Sequence, residues 1–131
     1  MERAKRLLLS RDDFLHTRGY WLVATLLREA GFEVILGGEQ IPREVVDTAI
    51  QEDADIIGYH IMQGAPKVLI PILFEKMREK GIEDRPVVIG GIVPKKDEVL
   101  IKSLGVKEVF HPLTPMDDLV ACIKEIVEGI P

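Results

Sequence analysis

Short apolar runs alternate with longer stretches of helical period along the whole chain. Residues 7–9, Leu7, Leu8 and Leu9, form a continuous apolar run, as a strand buried on both faces should. Over residues 17–30, Leu22, Val23, Leu26, Leu27 and Ala30 recur at helical spacing, and Gly31 supplies the stop. Residues 32–36 predict a second strand, closed by a turn at Gly37 and Gly38. Pro42 opens a second helix where its missing N–H costs nothing, with Val45, Ala49 and Ile50 as the inner stripe. Residues 56–59 predict a third strand, followed by a looser stretch over 61–66. The third helix runs to Lys80 and stops at Gly81; Pro71 either kinks it or marks its start. Residues 86–89, ended by Gly90 and Gly91, read as the fourth strand, and 95–104 as a helix stopped by Gly105. Residues 106–110 are the fifth strand, and 115–128 the last helix with Thr114 as its N-cap.

Strands alternating with helices in this way imply right-handed crossovers and one parallel sheet. The predicted fold is α/β, a three-layer, doubly wound, five-stranded parallel sheet of flavodoxin-like order 2-1-3-4-5. Residues 1–131 are expected to form one domain. Ligands of such sheets bind beyond the carboxyl ends of the strands. The crevice is expected between the ends of the first and third strands. All three histidines, His16, His60 and His111, are placed just past strand ends on that rim. Gly19, Gly58, Gly64, Gly90 and Gly91 fall there as well and suggest a deep slot for a long, flat group.

Composition narrows the classes. A 47% apolar and 30% charged chain has the material for a packed core. A net charge of −5 argues against nucleic-acid binding. No apolar run approaches a membrane span and no secretory signal is visible, so a cytoplasmic location is expected. One cysteine, Cys122, excludes an intramolecular disulfide and reads as a quiet helix-face thiol. The glycine pairs lack the spacing of a dinucleotide fingerprint or phosphate loop. Ser10 and Ser103 are the only serines, and no nucleophilic triad order is visible, so no catalytic residue is assigned.

The loop before the first helix holds the strongest candidate chemistry. A histidine at a helix start sits at the positive end of the macrodipole, which favours the neutral, metal-ligating imidazole. Asp12 and Asp13 are near His16, and a carboxylate there could fix the ring's far nitrogen. The plain alternative is a helix-start histidine among surface acids. Of Tyr20 and Trp21, one must point outward or toward the crevice.

Taken together, several segments resemble the cobalamin-binding domain of adenosylcobalamin-dependent acyl-CoA mutases, the methylmalonyl-CoA mutase type. They are His16-x-Arg18-Gly19, Gly31-Phe32-Glu33-Val34, Ile41-Pro42-Arg43-Glu44, Ile57-Gly58, Val88-Ile89-Gly90-Gly91-Ile92-Val93-Pro94 and Leu104-Gly105-Val106. The resemblance implies a small subunit that holds cobalamin (adenosylcobalamin) with His16 as the lower ligand of cobalt. It implies that Asp13 orients His16, and that His60, Met62 and Gly64 line the slot for the nucleotide tail. Gly90 and Gly91 would leave space beside the corrin, with Phe110, His111 and Thr114 closing the far side. Leu15, Thr17, Arg18, Gly19 and Val23 would complete the site. It implies a large catalytic mutase subunit with an acyl-CoA-binding barrel as partner, with self-association also open, and no turnover by this chain alone. Neither nucleic acid nor membrane is an expected partner.

Three departures fall on the same rim. The family's Asp-x-His-x-x-Gly loop has Phe14 in place of its aspartate. Its Ser-x-Leu at the third strand reads His60-Ile61-Met62, and its Gly-Pro-Gly-Thr reads His111-Pro112-Leu113-Thr114. Two other readings therefore stay open: a degenerate module with a regulatory or partner-binding role, and a slot refitted as a histidine-lined metal site. A carrier of methylated corrinoid would need a helical cap domain ahead of this one.

Overall fold

The computed structural model describes residues 3–13, 15 and 17–130. The chain forms β1 (Arg6–Arg11), α1 (Arg18–Glu29), β2 (Glu33–Glu39), α2 (Pro42–Gln51), β3 (Ile56–Ile61), α3 (Pro66–Glu79), β4 (Val87–Gly91), α4 (Lys95–Leu104), β5 (Glu108–Phe110) and α5 (Met116–Glu128). The strands pair in parallel in the order β2-β1-β3-β4-β5, as the alternating pattern predicted.

Strand alternation divides the core into two. Leu8, Ile57, Tyr59, Ile61 and Ile89 point to one face and pack against Val45, Val46, Ile70, Leu73, Met77 and Ile101 of α2, α3 and α4. Leu7, Leu9, Ile56 and Val88 point to the other and meet Tyr20, Ala24 and Leu27 of α1 and Leu119, Ile123 and Val127 of α5. Each fully buried leucine or isoleucine contributes roughly 1.5–3 kcal/mol. The two faces differ in bulk. The first carries Leu8, Ile57, Tyr59 and Ile89 across its centre, with Ser10 the one small side chain among them. On the second, Gly58 of β3 and Gly90 of β4 present none, and a gap is left there between the sheet and α1 and α5.

Several local expectations are corrected. Gly37 and Gly38 do not close β2; the strand runs on to Glu39. A bulge shifts the register so that Leu9 pairs with Leu36 and Ser10 with Gly38. A Cβ on Gly37 would stand 2.5 Å from Ser10 Oγ, and Gly38 has φ +75, so both bulge positions require glycine. His60 lies within β3 rather than past it, because Arg11 on one side and Gly90 on the other continue the ladder. For the same reason Gly90 and Gly91 belong to β4.

Among the helices, α2 buries Val46 with Val45 and Ala49, whereas Ile50 is exposed. In α1 the buried stripe is Tyr20, Ala24 and Leu27; Leu22 is exposed and Val23 and Leu26 are half-buried. Pro71 is inside α3, whose start is Pro66. Thr114 caps nothing: Pro115 is the cap residue of α5, and Thr114 Oγ1 donates to the His111 carbonyl at 2.6 Å. Among the described residues, no helix is long and apolar enough to cross a membrane.

Candidate functional site

The unfilled face of the sheet is the site. A cleft of about 570 Å³ lies between β1, β3, β4 and β5 below and α1 and α5 above. Its floor follows from the register. One row across the sheet reads Leu9, Gly58, Val88; the next, toward the strand ends, reads Arg11, His60, Gly90, Phe110. The slot is therefore not between β1 and β3, which are hydrogen-bonded neighbours, but over them on the α1/α5 side. The volume suits a small-molecule ligand, for which sites of about 300–1,000 Å³ are usual. The lining is mostly apolar, with a few polar side chains, among them Thr17, Arg18, His60, His111 and Thr114.

The two floor glycines differ in kind. A Cβ on Gly58 would come within 3.2 Å of Leu9 Cδ1. A Cβ on Gly90 would meet nothing nearer than the Phe110 carbonyl at 3.6 Å, with His60 Cδ2 at 3.9 Å. The space over Gly90 is thus real room for a ligand. Gly91 is structural: its φ is +109, and a Cβ would strike the Ile61 carbonyl. Ile61 points into the opposite core, so it does not plug the slot, and His60 forms part of its wall.

The cleft lining includes Leu15, Thr17, Arg18, Gly19 and Val23 from the β1–α1 side. It also includes His60, Met62, Gly90, Gly91, Phe110, His111 and Thr114. Gly64 is elsewhere: with Met62, Lys67, Ile92 and Lys96 it borders a second, shallower recess beside the β3–α3 and β4–α4 loops. Phe14 and His16 lie outside the described residues. Asp13 is 1% exposed, a carboxylate held inside the protein just before that point. Sequence reasoning expected a deep slot but did not name the residues that line its depth, Leu9, Leu27, Val88, Leu119 and Ile123. Those positions read only as generic core. Gly58 carried the available signal, as a side-chain-free position in the middle of a strand.

Tyr20 is the aromatic that turns inward, at 2% exposed, while Trp21 is 51% exposed. Tyr20 Oη donates to the Leu9 carbonyl at 2.7 Å and accepts the Gly38 N–H at 3.0 Å. Burial raises its pKa above the ordinary value, with the Gly38 N–H pulling the other way. The phenol thus ties α1 to β1 and to the β2 bulge at the edge of the cleft. The Arg11 guanidinium stacks over this ring, 4.8 Å from its centroid.

Asp12 ties two loops together. Its carboxylate accepts the N–H groups of Met62 at 2.8 Å, Gln63 at 3.1 Å and Gly64, and its own N–H donates to the His60 carbonyl at 3.0 Å. Hydrogen bonds to a charged group contribute a net of roughly 1.5–3 kcal/mol. On the opposite side of the mouth, His111 Nε2 lies 2.9 Å from Glu98 Oε1 of α4. Among the described residues, no group of three or more His, Cys, Asp or Glu side chains gathers as a metal site. Cys122 is half-buried, and desolvation raises its thiol pKa, as suits an unreactive thiol.

The B12 binding domain family matches residues 5–117. The chain is 40% identical over 113 residues to the 2-hydroxyisobutanoyl-CoA mutase small subunit of Aquincola tertiaricarbonis, covering 86% of this chain and 83% of that one. It is 36% identical over 110 residues to the pivalyl-CoA mutase small subunit of Xanthobacter autotrophicus, covering 82% and 73%. It is 33% identical over 115 residues to a methylmalonyl-CoA mutase of Rhizobium meliloti, matching 87% of this chain but only 16% of that longer protein. A solved cobalamin-binding protein from Desulfitobacterium hafniense superimposes with a TM-score of 0.75 at 22% identity, over 94% of this chain and 58% of that one, and so shares its fold.

Proposed function

This chain belongs to the B12-binding domain family, and from that premise we propose that it is the cobalamin-binding small subunit of an acyl-CoA mutase. The observation that carries the reading is the slot over Gly58 and Gly90. A parallel sheet ordinarily fills such a face with branched side chains. Here the sheet offers a floor without side chains at two positions, under an apolar roof and open at the strand ends. A nucleotide tail with a flat base fits a site of that shape and polarity.

In this reading residues 1–131 act as one domain. His16 is the lower cobalt ligand, and Asp13, buried three residues earlier, orients its ring. Leu15, Thr17, Arg18, Gly19 and Val23 frame the entrance from the α1 side. His60, Met62 and Gly90 bound the slot below, while Phe110, His111 and Thr114 bound it from β5. Gly91 sets the backbone at that edge, and Gly64 serves the neighbouring recess. When bound, adenosylcobalamin supplies the radical chemistry of the rearrangement. The protein's own residues hold, orient and shield. The chain has no assigned catalytic residue, so turnover requires a large mutase subunit whose barrel binds the acyl-CoA. Its location is cytoplasmic.

The test is optical. The purified chain, mixed with hydroxocobalamin, should retain the corrinoid through gel filtration and show a spectral shift on imidazole ligation. His16→Ala should abolish the shift. A chain that retains no corrinoid would instead be a degenerate module, and Phe14 in the loop motif is the feature that favours that second reading.

A further inference from the structure

The β1–α1 loop and the β3–α3 loop meet at the mouth of the cleft, and one side chain joins them. We infer that Asp12 is a positioning residue: its carboxylate locks the β3–α3 loop against the end of β1 and so sets the mouth of the slot before a ligand arrives. The inference rests on the cobalamin reading above and adds to it a residue that the resemblance does not supply.

The geometry is that of an anion nest. Three successive backbone N–H groups, of Met62, Gln63 and Gly64, converge on one carboxylate. Converging N–H groups of this kind repel one another unless an anion or its equivalent lies between them. Gly64 is shaped for the arrangement, since a Cβ there would stand 3.1 Å from Asp12 Oδ2 and 2.7 Å from Leu69 Cδ1. The Asp12 N–H donates to the His60 carbonyl, so backbone and side chain of one residue grip both ends of the turn after β3.

The consequence reaches the site from two directions. Met62, whose N–H is held, lines the slot and also the second recess. His16, the cobalt ligand of that reading, follows Asp12 by four residues in the sequence. A loop ordered in advance costs less entropy on binding than one ordered by the ligand.

The experiment compares wild type, Asp12→Ala, Asp12→Asn and a distant control, Val127→Ala, which thins the core at the last turn of α5. Amide hydrogen exchange of the ligand-free proteins reads the strut directly. Hydroxocobalamin titration reads affinity, and the absorbance of the bound corrinoid reads imidazole ligation. Asp12→Ala should speed exchange at residues 62–64, weaken binding about tenfold, the equivalent of one charge-assisted hydrogen bond, and lower the imidazole-ligated fraction. Asp12→Asn keeps an acceptor for Met62 and Gln63 but turns an NH₂ toward the Gly64 N–H, so it should fall between. Val127→Ala should lower the melting temperature and leave exchange at 62–64 and the spectrum unchanged.

Faster exchange in Asp12→Ala with affinity and spectrum as in wild type would overturn the inference while leaving the cobalamin reading intact. Unchanged exchange would overturn it as well. Wild type that binds no corrinoid would overturn both.

Discussion

Gly90 of β4 stands between His60 of β3 and Phe110 of β5 in one row of the sheet, and the row is open only because the middle position has no side chain. The gap decides where α1 and α5 can rest. Glycine within a strand weakens it, by roughly 0.5–1 kcal/mol relative to alanine. The sheet accepts that cost twice on the α1/α5 face of its central strands, at Gly58 and Gly90.

Filling the gap should separate stability from binding. Gly90→Val adds a β-branched side chain where the nearest atom to its Cβ is 3.6 Å away. The variant should melt at or above the wild-type temperature yet lose most corrinoid retention. Gly58→Val places its Cβ 3.2 Å from Leu9 Cδ1, so it should lose both. Thermal melts and gel-filtration retention, run side by side, check the contrast. Equal retention in Gly90→Val would remove the slot from the argument.

Leu113 is fully exposed and has φ +73, a backbone conformation that a leucine adopts only at a cost. It borders the mouth of the cleft. Leu113→Gly relieves the backbone and sacrifices no packing, so it should stabilise the free protein by about 1 kcal/mol. That amounts to a few degrees in melting temperature for a chain of this size. If the leucine closes over bound ligand, the same substitution should speed corrinoid release. Stopped-flow displacement measures that rate.

Two buried phenols make the fold sensitive to base. Tyr59 is 1% exposed and donates to the Gln40 carbonyl; burial, then the Asp12 and Glu44 charges, raise its pKa. Burial raises Tyr20 in the same direction. Both protons are therefore held more tightly in the folded than in the unfolded chain. The stability they confer is complete below the unfolded value of about 10 and falls as pH rises through the folded values. The loss should approach about 1.4 kcal/mol per pH unit for each phenol. Urea titrations at pH 8 and 11 test this, and Tyr59→Phe should show a shallower decline than wild type.

The bulge of β2 illustrates what a linear reading loses. Two adjacent glycines after an apolar run have the composition of a turn. The pair instead lets the chain skip a register beside Ser10 and present the Gly38 N–H to Tyr20. Nothing local distinguishes the outcomes, because the deciding partners are 18 and 28 residues away in sequence, at Tyr20 and Ser10. The buried stripe of α1 has the same lesson. Its apolar period was plain, but the rotation that buries Tyr20 and exposes Leu22 follows from the hydrogen bond to the Leu9 carbonyl.

The amino-acid order alone determined the alternation of strand and helix, the parallel sheet and its strand order, because apolar period and crossover handedness are local constraints with few joint solutions. It also pointed to one end of the sheet as the place to look, since loops after parallel strands share that end. Only tertiary structure decided which face of the sheet is hollow, that the hollow lies beneath α1 and α5, and that Asp12 grips the β3–α3 loop. Those outcomes depend on register between strands that are distant in sequence, and a side chain's face and neighbours exist only once that register is set.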